Sequence, residues 1–502
     1  MKEDEAVPEK VVDDRLGSKR DSSRSRRVGR VGYQPLAATA FAVATIAVAC
    51  ARSSVDSIPP DLDYRLALTP PGVEVTLQVD GGPHPKVWVG FGLSPLGPAE
   101  VSRRIDGLSA RAADGSSLPV RRAGTAAYRV DVGGTDPWFL DYRVTLHDLP
   151  ADIYHRASSR SSRHLLLVGA DLWARLYTSP AAIELAPAER PTGTVGSATI
   201  SFARGELPEG WQIVSVTPEV EPGRYRLIDD PALSVFALGP YRQQPLGRAG
   251  MSVAIHADWT LARGRLVNTT SQLVRVLRHD LGPPPGETAL LLFTPLPPEA
   301  RPHRGVRTAG MAWNRTLILF GGTAPGLPQT NHTIRNMVAV FLGHELFHLY
   351  VPWGIEITRE LSWLSEGWAM HMGRRAALQA RLLSQGDNDA GLRDAYERYR
   401  AMGGHRAGSL EAASGGGEEI RQLLYARGEL VFHIMSREWE RSGKAGSFDA
   451  ALWQRLALAY DGEQPLQPDQ VRALLSALVS PEAVQRYVDG TATITPPELG
   501  LR

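Results

Sequence analysis

His344 and His348 stand four residues apart in the string His344-Glu345-Leu346-Phe347-His348, inside an apolar run from Met337 to Tyr350. The spacing predicts a helix there. A helix turns once in about 3.6 residues, so positions four apart share a face and two imidazoles can meet one metal ion. The pattern suits zinc. Zinc lowers the pKa of a bound water to about 7, and a carboxylate one residue on, here Glu345, can take the proton. The chemistry on offer is hydroxide attack on a carbonyl at neutral pH. The alternative is a pair of histidines that pack or face solvent.

A catalytic zinc takes three protein ligands and keeps a fourth position open, and His-His-Glu is one of its standard sets. Glu366 follows His348 by 18 positions, in Leu361-Ser362-Trp363-Leu364-Ser365-Glu366-Gly367-Trp368-Ala369, where a second amphipathic segment begins. His344, His348 and Glu366 are the expected ligands of one Zn2+. A solvated or helix-capping Glu366 is the alternative.

The elements that position these residues belong to a chain of 502 residues, long enough for about two to four domains. A net charge of +1 gives no argument for nucleic acid or an acidic partner. No obligate protein partner is inferred. One cysteine, Cys50, excludes an intramolecular disulfide framework. Residues 1–34 read as a charged, disordered segment, with Lys19, Arg20, Arg24, Arg26, Arg27 and Arg30 ahead of the uncharged run Pro35–Ala49. Residues 35–50 then read as a secretory signal ending in a bacterial lipoprotein box, with Cys50 lipidated. An uncleaved anchor and a cytoplasmic protein are the alternatives; the run is shorter than the roughly 20 residues a spanning helix needs. The expected location is the bacterial cell envelope, membrane-anchored through lipid and facing the periplasm or exterior. Initiation near Val28 would leave a signal of ordinary length.

Residues 51–63 read as a tether and 64–225 as a β-rich domain. Tyr64–Leu68, Val73–Val79, Tyr128–Val132 and Asp141–Leu146 alternate apolar and polar residues, and His164–Val168, Ala198–Phe202 and Gln212–Val216 continue the series. Strands at short intervals with turn residues between them suggest a sandwich. His84, His147, His155 and His164 are expected at surface or loop positions. Residues 226–385 read as a mixed catalytic domain: a strand at Val253–Ala257, a helix at Asn268–Leu281, buried strands at Ala289–Phe293 and Thr316–Phe320, then the two metal helices. The first starts near an N-cap at Asn331 or Thr333; the second spans Ser362–Leu383. Residues 386–502 read as helical, with helices at Ile420–Trp439, Phe448–Leu458, Pro468–Val479 and Pro481–Val488 after the Gly-rich stretch Gly403–Gly417. The fold class is multidomain α+β.

Several stretches resemble the bacterial glycyl aminopeptidase family, metallopeptidase family sixty-one of the gluzincin clan. They are Leu207-Pro208-Glu209-Gly210-Trp211, Leu227-Ile228-Asp229-Asp230-Pro231, the two metal motifs, and Arg486-Tyr487-Val488-Asp489-Gly490-Thr491. The resemblance implies a β-sandwich-like domain, a thermolysin-like zinc domain and a C-terminal helical domain. It also implies a catalytic tyrosine: Tyr425, in Leu424-Tyr425-Ala426-Arg427-Gly428, lies 59 positions after Glu366. Its phenol would donate to the oxyanion; a packing tyrosine is the alternative. Gluzincin aminopeptidases hold the substrate's α-amine with a glutamate on a strand upstream of the metal helix. The matching stretch is Gly310-Met311-Ala312-Trp313-Asn314, where Trp313 takes the glutamate's place. Gly310, Ala312 and Trp313 are the expected substrate-binding residues, with N-terminus recognition altered. After His348 this chain has Leu349-Tyr350-Val351-Pro352-Trp353 where the family has Trp-Asn and a basic stretch. No C-terminal PDZ domain is expected before Arg502.

The expected function is zinc-dependent hydrolysis of a peptide or protein substrate, with Glu345 as base and zinc and Tyr425 stabilising the oxyanion. Aminopeptidase and endopeptidase action both stay open. So do a gluzincin acting on a non-peptide electrophile and a surface-tethered binding protein with a vestigial metal site.

Overall fold

The computed structural model describes residues 61–501, apart from 70, 81–84, 92–96, 135–136, 147–156, 178–196, 204–206, 228–229, 248–249, 260–262, 287, 297–305, 324–331, 404–408, 415–417, 463 and 491–492. The apolar run Pro35–Ala49, Cys50, His84, His147, His155 and Asn331 lie outside the described residues.

Alternation builds the N-terminal β layer. Asp61–Thr69 and Gly72–Asp80 pair antiparallel, burying Leu62, Tyr64, Leu66, Val73, Val75, Leu77 and Val79 on one face. The opposite face carries Asp63, Arg65, Thr76 and Gln78, tied by Arg65 to Asp63 and Gln78. Trp138–Thr145 extends the pair on one side, and Ala198–Phe202 lies parallel to Asp61–Thr69 on the other. These strands form the centre of an eight-stranded sheet, whose apolar face shares a core with two four-stranded sheets. Asp61, Leu62 and Asp63 pair with Asp80, Val79 and Gln78, so the expected tether 51–63 ends in sheet.

The five-stranded sheet that follows runs in the order Tyr241–Pro245, Met251–His256, Ala289–Pro295, Thr316–Thr323, Val306–Trp313. Its three inner strands are parallel and both edges antiparallel. The helix Arg263–Leu281 makes the crossover that two parallel neighbours require. The edge strand Val306–Trp313 turns back through Asn314, whose φ of 52° lies in the left-handed region an asparagine tolerates.

The expected domain boundary at 225/226 falls inside the strand Arg224–Leu227. Val235–Gly239 still pairs with the N-terminal strands Leu165–Val168 and Gln212–Val214, so the change of sheet comes between Gly239 and Tyr241. Nor are the layers separate bodies. One face of the five-stranded sheet, through Leu290, Leu292, Met311, Trp313, Ile318 and Phe320, packs with Val168, Val214, Val235 and Ala237 of the β layer. His164 keeps its expected loop position, just before the strand Leu165–Val168, but is not at the surface: it is buried against His256 at this seam, with ring centroids 5.4 Å apart.

The opposite face of the sheet, with Val253, Ile255, Leu291, Phe293, Ala312 and Leu319, packs on helices. The metal helix His332–Phe347 and the glutamate helix Ser362–Gln379 lie there. Thr333 falls inside the first of these, not at its cap. Helices Glu418–Arg441, Phe448–Ala459, Pro468–Leu478 and Pro481–Tyr487 follow within about two residues of the expected bounds. They share the core of the metal helices across the expected boundary at 385/386. That boundary meets the start of a helix the sequence reading missed, Gln385–Ala401, which opens on a capping box between Ser384 and Asp387.

Candidate metal centre

The metal helix ends at Phe347, and the chain tightens into a last turn in which the His348 amide donates to the Glu345 carbonyl at 3.1 Å. That turn keeps both imidazoles on one side. His344 Nε2 and His348 Nε2 are 3.1 Å apart, and Glu366 Oε2 stands 3.5 Å from the first and 3.6 Å from the second. Bonds of about 2.0–2.1 Å at tetrahedral angles place ligand atoms about 3.4 Å apart. The three atoms therefore outline one face of a tetrahedron of zinc's size, and all three residues are buried. Two neutral imidazoles and a carboxylate are the donors such an ion takes, so His344, His348 and Glu366 fit one zinc ion.

The surroundings fix the ligands. His348 Nδ1 lies 3.0 Å from the Val351 carbonyl, which accepts its proton and leaves Nε2 bare toward the centre. Ser365 Oγ is 3.3 Å from the same Nδ1. Sequence reasoning missed both partners. Ser365 carried a signal in its place next to Glu366; a backbone carbonyl carries none. Burial holds the His348 pKa at about 4 despite the opposing pull of Glu366, so the ring is neutral at pH 7, the form a ligand must have.

Glu345 is 1% exposed, and neither carboxylate oxygen has a hydrogen-bond partner among the described residues. Burial pushes its pKa well above the usual range, and the Glu366 carboxylate pushes it further. That environment disfavours the charged carboxylate and makes it, once ionised, a stronger base than an exposed one. The edge strand lies directly over it: a Cβ at Gly310 would overlap the Glu345 carboxylate, so any side chain there must displace that carboxylate.

Gly310 and Ala312 face the helices, as expected of residues beside the site. Trp313 does not. It is fully buried on the other face of the sheet, and its indole N–H donates to the Ala232 carbonyl at 3.1 Å. This corrects its expected substrate-binding place: strand parity points it into the seam with the β layer. Tyr425, on the tyrosine helix Glu418–Arg441, is brought to the centre, its ring 6.1 Å from that of His344.

No family model matches the sequence, and no curated protein matches it. Solved structures do match the fold. An aminopeptidase N family protein from Idiomarina loihiensis superposes with a TM-score of 0.71 at 15% identity, covering 88% of this chain and 77% of that one. The M1 zinc metallopeptidase from Deinococcus radiodurans gives a TM-score of 0.53 at 18% identity, over 88% of this chain and 96% of that one. A mutant of that enzyme bound to a Tyr-Ser-Ala substrate gives 0.52 at 16% identity over the same shares. The chain thus has the multidomain α+β fold of these proteins.

Proposed function

We propose that this protein is a zinc-dependent peptidase of the gluzincin type. The observation that carries the reading is the triangle of His344 Nε2, His348 Nε2 and Glu366 Oε2, with sides of 3.1, 3.5 and 3.6 Å, beside the buried Glu345 carboxylate. The likeness in fold to M1 metallopeptidases, one of them bound to a peptide substrate, supports the substrate class. A bound zinc ion supplies Lewis acidity, which makes water more acidic and a carbonyl more electrophilic. Glu345 takes the proton of the attacking water and returns it to the departing amine. The Tyr425 phenol donates to the oxygen that gains charge during attack. His348, oriented by Val351 and Ser365, keeps its lone pair directed inward.

With zinc loaded, Glu345→Gln is expected to keep the ion and lose peptide turnover by about 100-fold or more, because an amide cannot accept the proton. Normal turnover by that variant sinks the assignment of the base.

Two finer readings go with this one. The edge strand Val306–Trp313 carries no acidic residue, which supports recognition that does not depend on a charged α-amine. Comparable kcat/KM on a free and an N-acetylated form of one peptide is expected; strict dependence on the free amine refutes it. The Leu207–Trp211 and Tyr425–Gly428 stretches support kinship with the glycyl aminopeptidases. We also propose that Cys50, after its uncharged run, anchors the protein to the bacterial envelope through lipid. Cys50→Ser should then release the protein from the membrane fraction, and a lipid-modified Cys50 peptide should appear in the wild type. Among the described residues no helix is long and apolar enough to cross a membrane.

A further inference from the structure

Two glycine pairs hold the three helices of the centre together backbone to backbone. Gly343, just before His344, meets Gly373 of the glutamate helix. A Cβ on Gly343 would stand 2.7 Å from Gly373 Cα and 2.9 Å from its carbonyl oxygen; one on Gly373 would stand 2.5 Å from the Val340 carbonyl oxygen and 2.6 Å from the His344 nitrogen. Gly367, just after Glu366, meets Gly428 of the tyrosine helix. A Cβ on Gly367 would stand 2.5 Å from Gly428 Cα, and one on Gly428 would stand 2.7 Å from Gly367 Cα and 3.3 Å from the Trp363 carbonyl oxygen. None of these four glycines has a positive φ, so backbone freedom does not explain them; proximity does.

The three nearest atoms facing each of these positions are backbone, so no movement of a flexible side chain relieves the overlap with a methyl group. Carbon atoms settle about 3.5–4.0 Å apart, so one added methyl must part the helices by roughly 1 Å. The two pairs separate different things. The first spaces the helix that carries His344 and leads into His348 from the helix that carries Glu366. The second spaces the helix that carries Glu366 from the helix that carries Tyr425.

We propose that the two crossings divide the positioning of the centre. Gly343 against Gly373 sets the spacing of the metal ligands and thereby zinc affinity; Gly367 against Gly428 sets the approach of Tyr425 and thereby the rate, with the metal set left intact. The second half rests on the proposed role of Tyr425; the first rests only on the ligand geometry. All four are positioning residues, none of which touches the reacting atoms.

The test compares Gly343→Ala, Gly428→Ala, Tyr425→Phe and the double variant Gly428→Ala/Tyr425→Phe, each full length. Zinc affinity is read by competition with a chromophoric chelator, and peptide turnover is read after zinc loading. Gly343→Ala should bind zinc at least about tenfold more weakly, as misoriented ligands do. Gly428→Ala should bind zinc within about threefold of wild type, with kcat lowered about 100-fold and KM little changed, the cost of a displacement near 1 Å. In the Tyr425→Phe background Gly428→Ala should lower kcat little further, since the group it positions is gone. Gly428→Ala weakening zinc as much as Gly343→Ala overturns the division, and so does multiplication of the Gly428→Ala and Tyr425→Phe losses. If Gly428→Ala fails to fold by circular dichroism, Gly343→Ala decides: unaltered zinc affinity refutes the proposal. A zinc-loaded wild type that cleaves no peptide refutes the proposed function instead, and the contrast in zinc affinity still tests the division.

Discussion

At the residue scale, the centre depends on what stands behind each ligand. His348 is held by a backbone carbonyl that no substitution removes and by one hydroxyl that a substitution can. Ser365→Ala should therefore weaken zinc by about tenfold or less, below the loss from any ligand variant; chelator competition reads it. A loss as deep as that of His348→Ala would mean that Ser365 does more than orient the ring. The histidine pair was legible in the sequence because helical spacing is local, and Glu366 because its motif stands close by. Tyr425 had no local signal. It lies 59 positions beyond Glu366 and was reached by resemblance alone. Val351 acts through a main-chain oxygen, which every residue has, so its side chain announced nothing.

At the element scale, the edge strand shows what a sequence withholds. Gly310-Met311-Ala312-Trp313 could be aligned to a substrate-binding strand, but which parity faces the site depends on register with Thr316–Thr323 and on what covers each face. Trp313 went to the covered face. Trp313→Ala should accordingly destabilise the fold by about 3–5 kcal/mol in denaturant unfolding while leaving zinc affinity unchanged. Gly310→Ala should do the reverse in kind: zinc stays bound, and kcat falls about 100-fold because the Glu345 carboxylate must move. The missed helix Gln385–Ala401 was legible after all, in the Ser384-Asp387 capping box. Its polar face masked the apolar stripe of Leu392, Ala395 and Tyr399. Ser384→Ala should cost about 1 kcal/mol.

At the scale of the whole molecule, the three expected segments pack as layers around shared cores. Composition could not show this, because a seam between sheets has the same apolar residues as a core within one. The seam carries a titrating group. Burial, with a smaller push from neighbouring His256, holds the His164 pKa at about 3, against an ordinary 6.5. Between those values the unfolded chain binds more protons than the folded one, so stability is full above pH 6.5 and falls as pH drops toward 3. At pH 5 the loss should be about 2 kcal/mol, and His164→Gln should remove that share of the slope. Equal slopes in wild type and variant would place the acid-sensitive group elsewhere.

The central claim is that three buried side chains converge on one zinc ion. Zinc stoichiometry and affinity of the purified full-length wild type, measured beside His348→Ala, test it most directly. The triangle predicts one tightly held zinc per chain in the wild type and none retained against a chelator in the variant. Equal zinc retention by the two proteins, or a wild type that takes up no zinc, would contradict the account.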